Sequence, residues 1–259
     1  MMLGEESVSM FRLFKKLGWR LSIPLFLILL GGVFYLGASI AGFADYMPFN
    51  TYSEGWRMGM LSKISLKGNP LFKSVEGELL MGSDSSAAEV KEGDKVLFTN
   101  PWEFSAARSK VPELEQNSGR TVAIHYRQLK LQLTKINGDT DYRVVGVEPV
   151  NPAAAPQGCG VESSSRSTRS DGERIGYLTK VSDRGNFIKT YEVILQLGNA
   201  GNQFLAMSIL DTQIYKCAAE FLKSGMRVRV NYKQSLIRNP AARDTTYDIV
   251  GIWPSPKEP

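Results

Sequence analysis

Eight charged residues recur at matching places in the two halves of this 259-residue chain. They are Arg57, Lys63, Lys73 and Glu76 in the first half and Arg174, Lys180, Lys189 and Glu192 in the second. Cations and carboxylates on neighbouring strands either pair with one another or grip a charged ligand or partner. These eight residues are therefore candidates for binding a partner or ligand. The alternative interpretation is that they form structural ion pairs.

The ion-pair interpretation depends on the register of a hairpin. If the chain turns at residues 68–70, Lys63 lies opposite Ser74, and Glu76 is one diagonal step away. The same reasoning places Lys180 near Glu192. We therefore expect one Lys–Glu pair on the wall of each module.

Four further residues complete the candidate site. Trp102 and Tyr191 interleave with the charged positions, although aromatic residues also fill the cores of small barrels. Arg238 and Arg243 flank Asn239-Pro240 in the last hairpin and could hold an anionic group. The alternative for these two arginines is an ordinary solvated loop.

The sequence has few residues that could carry out catalysis. His125 is the single histidine, and its counterpart in the second half is Asn231. One histidine cannot build a catalytic triad with a histidine base or a cluster of histidine ligands. No glycine-rich loop of the phosphate- or dinucleotide-binding kind follows a predicted strand. We therefore predict a protein that is not an enzyme and that has no cofactor or metal ion.

Two cysteines, Cys159 and Cys217, are an even number and could form a disulfide in an oxidising compartment. Two cysteines with one histidine do not make up the four ligands of a closed zinc site. A disulfide here would tie the segment between the two halves to the second half.

The candidate residues belong to a duplicated module. Residues 53–68 and 170–185 are identical at eight of sixteen positions at a constant offset of 117, and several other positions are chemically alike. An internal repeat at a fixed offset is the strongest sequence signal of architecture. The chain is therefore organised as two equivalent units.

Alternation of apolar and polar residues predicts five strands and one helix in each unit. In the first unit the strands are predicted at 57–65, 71–81, 95–104 with an interruption at Asn100-Pro101, 121–132 and 142–149, with a helix at 112–117. In the second unit they are predicted at 173–182, 187–197, 203–208, 226–234 and 246–253, with a helix at 211–223. A helix between strands three and four is typical of the OB-fold, a small Greek-key barrel.

The predicted fold class is therefore mainly β, with two tandem OB-like five-stranded barrels at residues 52–150 and 169–255. An SH3-like barrel is the alternative. Residues 151–168 are rich in Pro, Ala, Gly and Ser, which indicates a flexible to semi-extended linker. The two barrels then need not be rigidly docked, unless a disulfide at Cys159 constrains them.

The N-terminal segment predicts a membrane anchor. Residues 21–43 form an uninterrupted apolar run, and Arg12, Lys15, Lys16 and Arg20 precede it. A helix of that length spans roughly 34 Å, enough to cross a bilayer core of about 30 Å. The positive-inside rule places residues 1–20 in the cytoplasm and the barrels outside. A cleaved signal peptide is the alternative, because Gly42 and Ala44 are small residues at the two positions that a signal peptidase reads.

The repeated pattern Ser-Glu/Asp-Gly-x-Arg-x-Gly-x-Leu-x-Lys-x-Ser-x-x-Gly, followed by Phe-Lys-Ser-Val-Glu-Gly-Glu-Leu at 72–79, resembles a group of small bacterial membrane-anchored envelope proteins of unassigned function. Some of them carry a 6-phosphogluconate dehydrogenase label. This sequence does not support that label, because it has no glycine-rich loop of the dinucleotide-binding kind after a predicted strand. This chain departs from the group in having two copies and in having Val193 where the first copy has Gly77. The resemblance implies a periplasm-facing anchored module and transfers no catalytic residue.

Three functions follow as hypotheses. The first is an adaptor or scaffold anchored in the bacterial inner membrane by a single span, whose periplasmic barrels bind another envelope protein within a larger assembly. The second is a binder of a glycan or peptidoglycan fragment. Single-stranded nucleic-acid binding comes third, because the compartment and the near balance of 31 basic against 26 acidic residues oppose it. Neither the oligomeric state nor the partner's identity follows from the sequence.

Overall fold

The structure is a computed structural model that describes residues 19–45, 47–68, 73–81, 89–92, 95–98, 101–133, 135–160, 170–185, 189–197, 203–235 and 243–255. The chain is mainly β, as predicted, and its main sheet is OB-like. The first helix, α1 (Trp19–Ala44), precedes the sheet.

Five strands close the first barrel. The elements of this half are β1 (Thr51–Gly68), β2 (Lys73–Met81), β3 (Glu89–Glu92), β4 (Lys95–Phe98), β5 (Pro101–Ala106), α2 (Val111–Gln116), β6 (Thr121–Leu129) and β7 (Tyr142–Pro149). Around the barrel the order is β1-β2-β5-β7-β6, and β6 pairs back with β1. The neighbours are antiparallel except β5 and β7, which meet in parallel at Ser105 and Arg143.

The second barrel has the same order. Its elements, with the short strand that precedes it, are β8 (Cys159–Gly160), β9 (Ser170–Arg184), β10 (Thr190–Leu197), β11 (Phe204–Ile209), α3 (Thr212–Ser224), β12 (Arg227–Gln234) and β13 (Tyr247–Pro254). The order is β9-β10-β11-β13-β12, and both β10 and β12 pair with β9. The parallel contact joins β11 to β13 at Ser208 and Asp248, the positions that match Ser105 and Arg143.

Alternating apolar residues fill each barrel. Leu61, Val75, Phe104 and Tyr126 are among the buried residues of the first core. Val181, Leu195 and Phe221 are among those of the second. Because successive side chains of a strand point to opposite faces, the charged residues between them are left on the barrel wall.

Helix α3 has defined caps at both ends. Its N-cap Asp211 accepts hydrogen bonds from the backbone N–H groups of Gln213 and Ile214 at 2.7 and 3.1 Å. Gly225 follows the last turn at φ +65°, a left-handed conformation that glycine adopts without a steric penalty. Between the caps, the apolar stripe that includes Ala218 and Phe221 packs on the second core.

The structure corrects the predicted third strand of the first barrel. Residues 95–98 pair with residues 89–92 in a separate two-stranded sheet, and the barrel strand is β5. The run that ends at Phe98 is apolar enough to form a strand, but Asn100-Pro101 separates it from the barrel strand. The interruption seen in the sequence is therefore a boundary between two sheets.

The predicted hairpin register is also wrong. Lys63 lies opposite Glu78, and Glu76 lies opposite Ser65, because β1 continues in the sheet as far as Gly68 before the chain turns. In the second barrel Glu192 lies opposite Ser182, and Lys180 lies opposite Ile194. Within the described residues, neither the Lys63–Glu76 nor the Lys180–Glu192 ion pair forms.

The two barrels share one continuous sheet. The N-terminal half of β1 pairs antiparallel with the C-terminal half of β9, from Ser53 opposite Arg184 to Arg57 opposite Lys180. Met58 and Ala123 of the first barrel are buried in the hydrophobic core of the second. The linker composition predicted barrels that need not be docked, whereas the structure joins them through backbone and core.

The described residues of the predicted linker, 151–160, contact the second barrel. β8 pairs with β13, and a disulfide joins Cys159 to Cys217 of α3. The backbone N–H of Asn151 donates to the carbonyl of Lys223 at 3.2 Å. The described half of the linker is therefore held against the second barrel at three places.

The N-terminal helix α1 covers 26 residues and includes Pro24. In the part of the chain that the structure describes, no helix meets the length and hydropathy needed to cross a membrane. The span predicted at residues 21–43 stays a prediction.

Candidate interaction site

Arg57 lies in a box of three aromatic rings. Its guanidinium carbon is 4.8 Å from the centre of the Trp102 ring, 5.3 Å from that of Tyr126 and 5.4 Å from that of Tyr142. A guanidinium within about 6 Å of a ring face is attracted to the electrons of the ring. Since Arg57 is paired with Lys180 of the second barrel, this box is built at the contact between the barrels.

Two ionisable groups at this contact have altered pKa values. Burial lowers the pKa of the Lys180 ammonium. Burial acts to raise the pKa of the Tyr126 hydroxyl, but opposing effects, led by the positive charges of Lys180 and Arg57, lower that pKa overall. The contact therefore places the cationic groups of Lys180 and Arg57 in a partly buried region, where aromatic rings face the guanidinium of Arg57.

Lys189 also belongs to the contact between the barrels. Its ammonium lies 3.4 Å from Asp183 Oδ1 and donates to the carbonyl of Tyr52 in the first barrel, also at 3.4 Å. Arg184 donates from Nε to the Tyr52 hydroxyl at 2.9 Å. Asp183 accepts from the backbone N–H of Glu54 at 2.9 Å. Three of the eight predicted charged residues, Arg57, Lys180 and Lys189, thus meet between the barrels.

Glu76 holds the loop between β6 and β7. Its carboxylate accepts from Ser74 Oγ at 2.6 Å, from Ser105 Oγ at 2.7 Å and from the backbone N–H of Asp139 at 3.1 Å. Ser105 Oγ also accepts from the backbone N–H of Thr140 at 3.1 Å. The carboxylate therefore connects strand β2 to the loop instead of pairing with Lys63.

Glu192 repeats this arrangement in the second barrel. It accepts from Ser208 Oγ at 3.3 Å and from the backbone N–H of Asp244 at 3.2 Å. Ser208 Oγ in turn accepts from the backbone N–H of Thr245 at 3.1 Å. Burial raises the pKa of the Glu192 carboxyl, because a charged carboxylate is poorly solvated there.

A polar cleft of about 230 Å³ opens beside Glu76 on the outer wall of the first barrel. Its ionisable lining residues are Lys63, Lys67, Glu76, Glu78, Glu103 and Asp139. Two of these lining residues, Lys67 and Asp139, form an ion pair at 2.6 Å. Four acids and two bases give this cleft mixed charge, with acids in excess.

Sequence reasoning missed a buried ion pair that joins α1 to the first barrel. Asp45 follows the end of α1, is 1% exposed, and lies 3.1 Å from the guanidinium of Arg143 on β7. Asn137, in the loop that Glu76 holds, donates to the carbonyl of Gly42 at 2.6 Å and to Asp45 at 3.2 Å. The isolated acid directly after the apolar run was the available signal.

The position of Arg143 carries the opposite charge in the second barrel. There Asp248 pairs with Arg243, which also donates to Ser235 Oγ at 2.6 Å. Burial raises the pKa of the Asp248 carboxyl, opposed by the charge of Arg243. Arg243 is therefore engaged within its own barrel, and Arg238 lies outside the described residues.

The aromatic candidates differ in exposure. Trp102 is 7% exposed and packs against Phe104, Tyr126 and Tyr142, so it is part of the first core. Tyr191 is half-buried and stacks on Tyr215 with ring centres 4.2 Å apart. Packing, not ligand stacking, accounts for Trp102.

The remaining charged candidates lie on the surface. Lys63, Lys73 and Arg174 are exposed, and Arg174 lies 5.9 Å from the ring centre of Tyr232. Lys63 lines the polar cleft, and the backbone carbonyl of Lys73 accepts from Arg108 Nε at 3.2 Å. The structure does not gather the eight charged residues into one site.

His125 lies beside the barrel contact, next to Glu54 and Trp56. Its Nε2 is 3.2 Å from Glu54, and its ring stacks on Trp56 at 4.8 Å. The hydrogen bond from His125 lowers the pKa of the Glu54 carboxyl. Among the described residues, no group of three His, Cys, Asp or Glu side chains is placed to hold a metal ion.

Comparison with known proteins gives one family match, over residues 50–154, to a domain of unknown function, DUF8785. The match covers the first barrel. No curated protein matches the chain. Among solved structures, the single-stranded DNA binding protein of Thermus aquaticus is similar at 13% identity, over 81% of this chain and 96% of that protein, with a TM-score of 0.25.

Proposed function

We propose that the protein is a non-enzymatic adaptor of the bacterial envelope, in which one inner-membrane helix tethers two OB-like barrels that bind another envelope protein. The observation that carries the proposal is the mixed-charge cleft between β1, β2 and β5. OB-folds bind their ligands on this face, beside the loop between strands four and five. A cleft with both signs of charge fits a polypeptide surface, because complementary charges set the register of protein contacts.

The same cleft argues against nucleic acid. Its four acids would repel a phosphate backbone, and its described lining has no aromatic ring on which a base could stack. Trp102 and Phe104, the aromatic residues of strand β5, are buried. We therefore place single-stranded nucleic acid last among the candidate ligands.

A glycan is the second candidate, on one observation. Tyr191 of β10 and Tyr215 of α3 form a half-buried stacked pair, and a partly exposed aromatic ring suits a sugar. Binding of purified peptidoglycan fragments to the full-length chain tests it. Loss of binding in a Tyr191→Ala variant supports the glycan, whereas unchanged binding removes it.

The membrane address rests on the apolar run at residues 21–43 and the basic residues before it. A disulfide between Cys159 and Cys217 suits a periplasmic location for the barrels. The buried Asp45–Arg143 pair would keep the first barrel at the membrane surface. Alkaline phosphatase fused after Pro259 should be active, and activity confined to a cytoplasmic reporter would overturn this orientation.

Affinity purification tests the adaptor proposal. The full-length protein, cross-linked in intact cells and extracted in mild detergent, should retain another envelope protein. Charge reversal in the cleft, by Lys63→Glu with Glu103→Lys, should reduce that retention. Lys216→Glu, an exposed change on α3 away from the cleft, is the matched control.

Two results would count against an adaptor. One is a protein that retains no partner from cross-linked cells. The other is retention that falls equally in the cleft variant and in the Lys216→Glu control, because the cleft would then have no specific role.

A further inference from the structure

Two stretches of strand edge have no strand beside them in the described part of the chain. In β9 the N-terminal half pairs with β12 on one side only, and β10 begins on the other side at Gly176. In β1 the C-terminal half pairs with β2 on one side only, because β6 ends its pairing at Met60. We call these two stretches, residues 170–174 and 63–67, the free edges.

The free edges are the repeat counterparts of the two edges that join the barrels. At the offset of 117, residues 53–57 of β1 correspond to residues 170–174 of β9. Residues 180–184 of β9 correspond to residues 63–67 of β1. Inside the molecule, 53–57 pairs with 180–184. Each end of the molecule therefore keeps one half of the interface that already joins its barrels.

The side of each strand is also correct for such pairing. Gly59 and Met60 have β6 on one side and β2 on the other, so β9 and β2 share one side of β1. Gly176 and Tyr177 have β12 on one side and β10 on the other, so β1 and β12 share one side of β9. The open side of residues 170–174 is therefore the counterpart of the side on which residues 53–57 pair with β9. Likewise, the open side of residues 63–67 is the counterpart of the side on which residues 180–184 pair with β1.

A glycine marks the interface in both copies. A Cβ at Gly55 would lie 2.3 Å from the carbonyl oxygen of Val181 and 2.4 Å from the Cα of Ser182, so the paired strand requires glycine there. At the counterpart Gly172 a Cβ would come within 3.2 Å only of the Tyr232 hydroxyl, the end of a side chain that can shift, and would meet no backbone. The free chain therefore does not require glycine here, but a strand docked as β9 docks on β1 would.

Apolar side chains accompany both free edges. Ile175 is 41% exposed, and its counterpart Met58 is 1% exposed because the second barrel covers it. Leu66, on the other free edge, is 61% exposed. A strand edge with exposed apolar residues is a template for pairing with another chain.

We propose that copies of this chain associate head to tail, the free edge at 170–174 of one copy pairing with that at 63–67 of the next. The register follows from the internal contact, with Arg174 opposite Lys63, Asp171 opposite Leu66 and Ser170 opposite Lys67 of the neighbour. Since the two edges are different surfaces, the contact is heterologous and continues from copy to copy. This inference is argued from the strand edges and does not depend on the adaptor's partner, although Lys63 and Lys67 of the edge also line the cleft.

Single-cysteine variants test the register. Leu66→Cys and Asp171→Cys change exposed positions that the proposal places opposite each other. Full-length chains carrying one variant each, with different tags, should form a cross-linked mixed dimer under mild oxidation in membranes. A chain with both changes should give a ladder of oligomers.

Each single variant alone should give no dimer above the wild-type background. Absence of the mixed dimer would overturn the proposal. So would dimers of Asp171→Cys with itself, which indicate a two-fold contact, or its cross-linking to a different protein instead.

Gly172→Ala supplies a test by loss. In the free chain the new methyl meets only the end of the Tyr232 side chain, whereas in the docked strand it would clash with backbone, as at Gly55. We expect about tenfold or greater loss of the ladder from the double-cysteine chain, because the backbone hydrogen bonds of the pairing would be lost.

The matched control is Gly146→Ala, where a Cβ would lie 3.8 Å from that of His125. It should leave the ladder intact. Circular dichroism of both variants checks that they fold, and a ladder that persists at wild-type level in folded Gly172→Ala protein would contradict the proposal.

Discussion

Arg57 and Arg174 occupy the same place in the repeat and differ in their surroundings. Arg57 lies over three rings at the contact between the barrels, whereas Arg174 is exposed and lies near one ring, that of Tyr232. Leu205 of the second copy stands where the first has Trp102. The repeat therefore contains its own control for the effect of burying an arginine among aromatic residues.

We predict that Arg57→Ala lowers the free energy of unfolding by about 2 kcal/mol, because it removes desolvated cation–π contacts and the packing of the arginine stem. Arg174→Ala should cost less than about 0.5 kcal/mol, as is usual for an exposed site. Denaturant unfolding of both full-length variants measures the difference. Equal losses would show that the aromatic box contributes nothing specific.

Glu192 predicts a pH dependence of stability. Its pKa is raised above the ordinary value of 4.5, so the folded state binds this proton more tightly than the unfolded state does. The corresponding stabilisation is fully present below the ordinary pKa and is lost as the pH rises through the raised value. Glu192→Gln removes the titration and retains an oxygen that can accept from the Asp244 backbone.

Relative to wild type, Glu192→Gln should therefore become more stable as the pH rises from about 4 to about 8. Urea unfolding at several pH values measures this difference. Glu220→Gln, a change to an exposed carboxylate on α3, should show no comparable trend. A difference that is constant with pH would contradict the assigned role of burial.

The sequence indicated these residues but not what they do. The 117-residue offset singled out Arg57 and Lys180. Apart from Ser74, which donates to Glu76 from two residues away, the hydrogen bonds described for Glu76 and Glu192 come from residues that only the folded barrel brings near. Ser105 is 29 residues from Glu76, and Asp244 is 52 residues from Glu192. The assumed hairpin register suggested a lysine as the partner, because the sequence does not show which hydroxyl groups another strand supplies.

At the scale of elements, the Asp45–Arg143 pair is the clearest candidate for a structural constraint. Asp45→Asn leaves the guanidinium of Arg143 buried without its counter-charge, which typically costs about 3–5 kcal/mol. Glu220→Gln, which breaks the exposed pair with Lys223, should cost less than about 0.5 kcal/mol. Thermal and urea unfolding in mild detergent compare the two variants.

The charge-swapped variant Asp45→Arg with Arg143→Asp should recover part of the loss, since the second barrel holds the same two charges in reverse at Asp248 and Arg243. A loss in Asp45→Asn no larger than in Glu220→Gln would show that the pair does not hold α1 to the barrel.

Element order was predictable because the alternation of apolar residues is a local property. The five barrel strands and the helix after the third strand follow from it in both copies, and the closing parallel pairs, β5 with β7 and β11 with β13, are those of the OB order. The separate hairpin at residues 89–98 and the register of β1 with β2 were not predictable in this way. Both depend on where the chain turns and on which neighbour a strand finds.

At the scale of the whole molecule, the composition of the segment between the barrels predicted a looser connection than the structure has. Residues 151–168 have the composition of a flexible linker, yet the barrels are joined by strand pairing that the linker does not determine. Backbone pairing leaves little trace in side-chain composition, apart from Gly55, whose lack of a side chain admits β9. The repeat identified Gly55 as a recurring residue. Why a glycine is needed there is explained only by the neighbouring strand β9.

The pairing of the barrels can be broken at that glycine. Gly55→Ala places a methyl group against the Val181 backbone, which cannot move without opening the contact between β1 and β9. Alanine in a strand is otherwise no worse than glycine. We therefore predict that backbone amides at residues 180–184 exchange about tenfold faster or more in this variant, as expected when local opening becomes easier.

Hydrogen exchange followed by mass spectrometry measures this effect on the full-length chain. Gly172→Ala is the matched control, since it makes the same change at the counterpart position, where a Cβ meets only the Tyr232 side chain. It should leave residues 180–184 as protected as in wild type. Equal protection in Gly55→Ala would mean that the core contacts of Met58 and Ala123 hold the barrels together without the strand pairing.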